Sequence, residues 1–260
     1  MTLYYSRSHY HSNRVHRKKL LDYFLPLFLF IAFAVIVILS SQLYRSIFTS
    51  PFSPEAILSL LEGRTQILPA GLAQYEDAID TTRIFPGDEL MTETSGRSSL
   101  ELFRQFHLRM DNATTLVSRS IERSSSAFFD FRLKHGRVWF SSPDTDSSLR
   151  FTLSTSHLRV QGGDAIFSLE DFSSQKGSEI LRVFRGEVTV TVLLSDASGQ
   201  REVETYRIAA GHEFNMDLKA YQAYEKYQSP EVVFPLGKDF PESEWYLWND
   251  ALDEKTSISS

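Results

Sequence analysis

Four histidines, His107, His135, His157 and His212, lie beyond residue 45, spaced 22 to 55 positions apart. A helical or hairpin zinc site needs two ligands only a few residues apart; three of these four read instead as residues of turns and strand starts. Glu202 and Glu204 sit two apart in a strand-like stretch, so they share a face directed at water. They could act as a glycosidase pair only if folding held their carboxylates about 5–9.5 Å from suitable partners. Serines and aspartates are plentiful, yet no nucleophile elbow presents any serine. There is no phosphate loop or dinucleotide fingerprint. Cysteine is absent, which removes disulfides, thiolate metal sites and a thiol nucleophile. The expectation is a protein that is not an enzyme, with no catalytic residue, metal or cofactor. Two features remain. Asn112-Ala113-Thr114 fits a glycosylation acceptor. Trp245, Tyr246 and Trp248 cluster beside Glu242, Glu244, Asp250, Asp253 and Glu254, either as a closing segment packed on a core or as a stacking patch for a ligand. No ligand-binding residue is singled out beyond that.

Charge divides the chain. Residues 1–23 hold Arg7, Arg14, Arg17, Lys18 and Lys19 against one acid, Asp22, whereas 22 basic and 32 acidic residues follow from position 45 onward. The acidic excess gives no broad attraction to nucleic acid. Between the two regions, Tyr23 to Leu39 reads YFLPLFLFIAFAVIVIL, without a charge. Extended to Tyr44 it is long enough for a helix to cross the hydrocarbon core. Pro26 fits the first turn, and Tyr23 and Tyr44 suit the two headgroup layers. The basic flank places the N-terminus in the cytoplasm by the positive-inside bias. No small-x-small cleavage site follows the run, so it reads as an anchor rather than a removed signal.

Beyond the anchor, residues 45–63 read as a juxtamembrane linker and short helix: Ser53 as N-cap, Pro54 at N1, Glu55 at the positive end, Ile57, Leu58, Leu60 and Leu61 as the apolar face, and Gly63 as the stop. The period then falls to two. Leu100/Leu102, Leu108/Met110, Phe151/Leu153, Leu158/Val160, Phe167/Leu169 and Val188/Val190/Val192 alternate with polar neighbours, the pattern of half-buried strands. Pro86-Gly87-Asp88, Ser95-Gly96, His135-Gly136, Gly162-Gly163, Arg185-Gly186, Ser198-Gly199 and Ala210-Gly211 supply turns between them. Many short strands without a long helix predict an all-β domain, either a solenoid-like or a sandwich stack. A short helix is expected within Leu218–Tyr227. Pro230, Pro235 and Pro241 then interrupt regular structure, and the last five or six residues are expected to be disordered.

The stretch from about Gly63 to Asp217 resembles the FecR family of single-pass bacterial envelope proteins. Gly87-Asp88-Glu89-Leu90-Met91-Thr92 resembles its GD-x-hydrophobic-x-T entry, and Asn112-Ala113-Thr114 the N-x-T end of its paired strands. Leu133 to Val138 is similar to L-x-x-G-x-V, Thr155 to Phe167 to T-P-x-x-x-x-V-x-G-T-x-F, Val183 to Val190 to V-x-x-G-x-V-x-V, and Ala210-Gly211-His212-Glu213 to the closing A-G-E. The family's Asp-Gly-Ser turn is replaced by Arg104-Gln105-Phe106, its Thr-Pro by Thr155-Ser156 and its Gly-Thr by Gly162-Gly163-Asp164.

The resemblance implies a membrane-anchored sensory, regulatory or ligand-binding module acting outside the cytoplasm, with a protein or glycan of the cell envelope as partner. The alternative is a structural tether that holds cell-surface glycan or protein and signals nothing. Classical members restrain a sigma factor through a folded domain ahead of the membrane helix. A sigma factor is not expected as partner here, because a basic tail of about 22 residues is below the roughly forty needed for an unaided fold. The expected organisation is thus a basic cytoplasmic tail (1–22), a transmembrane helix (23–44) in the cytoplasmic membrane, a linker with its short helix (45–63), the FecR-like β domain (64–217) and an aromatic, acidic C-terminal segment (218–260).

Overall fold

The computed structural model describes residues 32, 33, 35, 56–123, 127–142, 150–173, 177–196 and 199–259. The chain divides into two compact units, Met1–Ser53 and Pro54–Ser260. Of the first, only Ala32, Phe33 and Val35 are described, and all three are helical. The expected tail and almost all of the expected span therefore lie outside the described residues. Among the described residues no helix is long and apolar enough to cross a membrane.

The second unit is mostly β. Its strands are β1 (Ala56–Glu62), β2 (Thr65–Leu68), β3 (Glu76–Asp77), β4 (Thr82–Arg83), β5 (Glu89–Thr92), β6 (Arg97–Leu102), β7 (Phe106–Met110) and β8 (Thr115–Arg123), followed by β9 (Ala127–Ser141), β10 (Arg150–Ser154), β11 (Leu158–Gly162), β12 (Ala165–Asp171), β13 (Ser178–Asp196), β14 (Gly199–Ala209), β15 (His212–Asp217) and β16 (Val233–Pro235). Helix α1 (Leu218–Glu225) precedes β16, and helix α2 (Glu244–Ser259) ends the described chain.

These strands form two facing layers. Sheet A runs β4-β1-β6-β7-β9-β12-β13-β15-β16. Sheet B runs β3-β2-β5-β8-β9-β10-β11-β13-β14. The long strands β9 and β13 belong to both. Each changes layer at a glycine with positive φ, Gly136 at 97° and Gly186 at 75°, where a side chain would be strained. A Cβ on Gly186 would meet the Asp164 carbonyl oxygen at 2.3 Å, and one on Gly136 the Thr114 hydroxyl at 2.4 Å. The His135-Gly136 and Arg185-Gly186 signals, expected as turns between strands, thus lie inside continuous strands: positive φ bends the strand from one layer to the other without ending it.

The core lies between the layers and is built by alternation. Phe129 on the sheet B half of β9 meets Phe140 on its sheet A half at 5.6 Å between ring centroids. Phe151 on β10 reaches Phe140 at 4.7 Å and Phe167 on β12 at 5.2 Å. Leucines and valines of β6, β7, β11 and β13 complete the cluster. The β6–β7 turn holds Phe103 and Arg104 at φ 53° and 62°. Burial of the Phe103 ring in the core offsets the cost of about 1–2 kcal/mol per residue that left-handed backbone carries.

Four further sequence expectations are corrected. Residues 56–62 form β1, not a juxtamembrane helix: Ala56, Leu58 and Leu60 repeat at period two and pair with Leu102, Leu100 and Ser98 of β6. A two-turn helix is marginal alone, while a complementary strand edge satisfies the whole backbone. The β domain consequently begins before residue 64. It also continues past 217, because β16 extends sheet A and α2 packs on the same unit. Finally, the tail forms a helix continuous to Ser259 rather than a disordered end. Helix α1 matches the expected Leu218–Tyr227 helix closely. Asp217 caps it by accepting from the Ala220 N–H at 2.7 Å, and Tyr227 closes it with φ 59°.

Candidate functional site

Strand register places one line of side chains across the outer face of sheet A. Ser99 of β6 lies opposite Arg109 of β7, which lies opposite Trp139 of β9, then Ser168 of β12, Arg182 of β13, Glu213 of β15 and Phe234 of β16. Alternation explains the line: each residue neighbours a core-facing leucine, valine or phenylalanine on its own strand. Arg137 and Glu170 form a second, parallel pair. The face thus combines arginines and carboxylates with an aromatic ring. Arg182 bridges Glu170 at 2.6 Å and Glu213 at 3.1 Å. Asp111, just beyond β7, accepts from Arg97 Nε at 2.9 Å and from Arg137 Nε at 3.0 Å.

Helix α2 lies over this face. Trp245, 1% exposed, stacks beneath the Arg137 guanidinium at 4.7 Å and donates to Ser168 Oγ at 3.3 Å. Trp248 lies under Arg97 at 4.8 Å, and Glu244 accepts from Arg97 at 2.8 Å. Asp253 pairs with Arg109 at 2.6 Å and accepts from Trp139 Nε1 at 3.0 Å. Asn249, fully buried, accepts from Arg109 through its backbone carbonyl at 3.3 Å. Tyr246 sets its edge against Trp139, Phe184 and Phe240, and Arg182 caps Phe240 at 4.2 Å. The aromatic cluster of the C-terminal segment is therefore occupied by this chain's own arginines.

A second constellation closes one end of the space between the layers. Asp171 and Glu179, each 1% exposed, are direct cross-strand partners on β12 and β13. His157 Nδ1 lies 2.6 Å from Glu179, Thr155 donates its hydroxyl to the same carboxylate, and Tyr221 of α1 sets an edge against the imidazole at 4.7 Å. The Thr155 hydroxyl also accepts from the Leu158 N–H at 2.9 Å. The hydrogen bond to Glu179 raises the His157 pKa above the ordinary histidine value; burial opposes it, and the charges of Glu179 and Asp171 add to it.

The other residues singled out from sequence are scattered. His107 projects from β7 beside Arg109. Burial lowers its pKa, Arg109 lowers it further, and Glu101 and Asp253 partly restore it. His135 sets its ring against Phe172 at 5.6 Å, and exposed His212 lies 3.2 Å from the Ala210 carbonyl. Among the described residues, no three histidines and carboxylates converge as metal ligands. Glu202 pairs with Arg159, while Glu204 hydrogen-bonds to Tyr206, so the two carboxylates serve separate contacts. Asn112 is exposed on the turn after β7. The turn residues that carry the family resemblance fix loops. Asp88 accepts from the N–H groups of Ala70 and Phe85 at 2.9 and 2.8 Å. Thr92 donates to the Asp111 carbonyl at 2.6 Å and accepts from the Thr114 N–H at 2.8 Å. The Arg97–Arg109–Arg137 face was not foreseen. Its one sequence signal is a run of arginines at the outward positions of strands whose inward positions are apolar.

The fold and this face define a two-layer β domain capped on one side by a charged, aromatic helix. No family model and no curated protein matches the chain. Two crystal structures of a candidate anti-sigma factor from Parabacteroides distasonis ATCC 8503, at 1.65 and 2.50 Å resolution, are similar to it with 13% and 12% identity and a TM-score of 0.39 each. Each alignment covers 50% of this chain and 54% of the other, so the chain spans about half the length of the structures it matches. A likeness of this size assigns neither family nor activity.

Proposed function

We propose that this chain is a membrane-anchored, FecR-like sensory or regulatory module whose β domain binds a protein or envelope ligand outside the cytoplasm. The observation that carries the reading is the uncharged run from Tyr23 to Leu39 with Arg14, Arg17, Lys18 and Lys19 on one flank, which supports a span with the N-terminus in the cytoplasm. The β domain supports a binding role through the composition of its α2-covered face. Arginine, tryptophan and tyrosine are the residues that anchor protein–protein contacts.

The test is a C-terminal fusion to a reporter that is active only outside the cytoplasm. Activity is expected; silence of that reporter, with a cytoplasm-only reporter working at the same position, overturns the reading. Capture with the tagged full chain from its native envelope then distinguishes modes. A stoichiometric protein partner fits a sensory role, whereas retention on cell-wall glycan fits a tether.

A further inference from the structure

Helix α2 is attached to the domain without belonging to its apolar core. Among the described side chains, none of α2 enters the hydrophobic cluster. Among its side chains described, only Trp245 and Asn249 are fully buried, Leu247 is 55% exposed, and the Glu244 side chain is 80% exposed. Its hold on the sheet includes ion pairs, hydrogen bonds, arginine–tryptophan stacking and the edge contacts of Tyr246 with Trp139 and Phe184. A charge-rich contact of this kind can open, because the groups it releases return to water rather than remaining stranded. Arg109 makes the point: it is 2% exposed, and its partners Asn249 and Asp253 both lie on α2. With the helix seated it is a buried, paired charge; with the helix gone it becomes an ordinary surface arginine. The connection also permits exchange. β16 stays paired to β15, so α2 can leave on the short segment from 236 to 243 while the rest of sheet A keeps its ladder.

We propose that the outer face of sheet A, centred on Arg97, Arg109, Arg137 and Trp139, is a docking surface for an acidic, tryptophan-bearing helix of a partner protein, and that α2 occupies it as an internal stand-in. Charge complementarity selects the occupant. α2 presents Glu244, Trp245, Trp248, Asn249 and Asp253 on successive turns, the spacing that lines one side of a helix. A partner helix must reproduce a carboxylate for Arg109, a carboxylate for Arg97 and an indole for the Arg137 guanidinium. The tethered helix competes at an effective concentration of order millimolar, so the intact chain resists casual binding and responds to a ligand that matches the pattern better. This inference rests on the reading of the domain as a partner-binding module, and it adds the surface and the chemistry of the partner.

The test titrates a fluorescent synthetic peptide of residues 240–259 onto the purified full chain in nanodiscs. Trp245→Ala in the chain, which weakens the internal helix, is expected to tighten peptide binding at least tenfold over the wild-type chain. Adding Arg109→Glu to that variant is expected to abolish binding, and raised salt to weaken it. Equal peptide affinity for the wild-type and Trp245→Ala chains overturns the proposal, as does indifference to Arg109→Glu. Hydrogen exchange on the wild-type chain decides independently of any variant's folding: amides of α2 must exchange well before those of β9 and β13, and equal protection overturns the proposal. A dimer formed by exchange of α2 between copies overturns the assignment to a different protein. The titration is indifferent to the side of the membrane on which the domain lies, so its failure and that of the topology test are separable.

Discussion

The interior between the two layers and the outer face of sheet A are made by the same strands, residue by residue in alternation, yet they are held by different forces. Inside, Phe129, Phe140, Phe151 and Phe167 interlock with aliphatic neighbours, and specificity comes from shape. Outside, Arg97, Arg109 and Arg137 meet Trp245, Trp248 and Asp253, and specificity comes from charge and ring stacking. Apolar packing loses its whole value when opened to water. A contact of ion pairs and arginine–ring stacking returns its charged groups to water when it opens, and so loses less. One sheet therefore carries an apolar contact on one face and a charge-rich one on the other.

The comparison breaks most sharply at the core. Phe140→Ala removes a fully buried ring that touches four others and is expected to cost about 3–5 kcal/mol in urea unfolding. Gly186→Val forces a Cβ against the Asp164 carbonyl at positive φ. It should cost about 2–3 kcal/mol, while Gly211→Ala, with nothing within 4 Å of the new Cβ, should cost only the conformational term of about 1 kcal/mol. On the outer face, Asp253→Ala leaves Arg109 without its carboxylate under α2. The expected loss is about 2 kcal/mol, seen first as faster exchange of α2 amides with the sandwich transition intact.

The two histidines beside these regions should titrate with opposite sign. His157 has a raised pKa in the folded protein, so its contribution is fully present below the ordinary histidine value of about 6.5 and is lost as pH rises through the raised value. His107 has a lowered pKa; the unfolded chain takes up its proton first, so stability falls as pH drops below about 6.5 toward the lowered value. Unfolding midpoints across pH 5 to 9 should flatten on the alkaline side for His157→Gln and on the acid side for His107→Gln. The smallest effect is expected at Glu244→Gln: its side chain is 80% exposed, and the change in stability should stay within about 0.5 kcal/mol.

Much of the sandwich is legible in the sequence because inward and outward residues differ in kind. Val188, Val190 and Val192 against their threonine and glutamate neighbours read as a strand without ambiguity, whereas Gly136 and Gly186 read as turns between strands and are instead left-handed bends within continuous ones. The segment AILSLLE is different. Its apolar residues satisfy both periods, and Ser53-Pro54-Glu55 is a good helix start; the decisive fact, a complementary edge on β6 some forty residues later, is tertiary. Helix α2 was missed because its buried side is Trp245, Asn249 and Asp253 rather than aliphatic, and the prolines before it looked like the end of regular structure. The outer face was illegible for a related reason. An outward arginine on a strand normally faces water, and only the fold brings Arg109 against Asn249 and Asp253, 140 and more positions away.

The change of layer by β9 and β13 also bears on how the domain is made. A chain that emerges N-terminus first can pair β1, β6 and β7 early, but β9 cannot find its sheet A neighbour on the far side until β12 has followed. β13 in turn joins β12 to β15 in one layer and β11 to β14 in the other. Neither layer closes separately. Local pairs such as β6–β7 and β8–β9 can form early, but both layers are complete only once β13, β14 and β15 have been added, so the Phe140 and Phe151 rings gain their Phe167 partner late. Helix α2 arrives after that, onto a surface already complete.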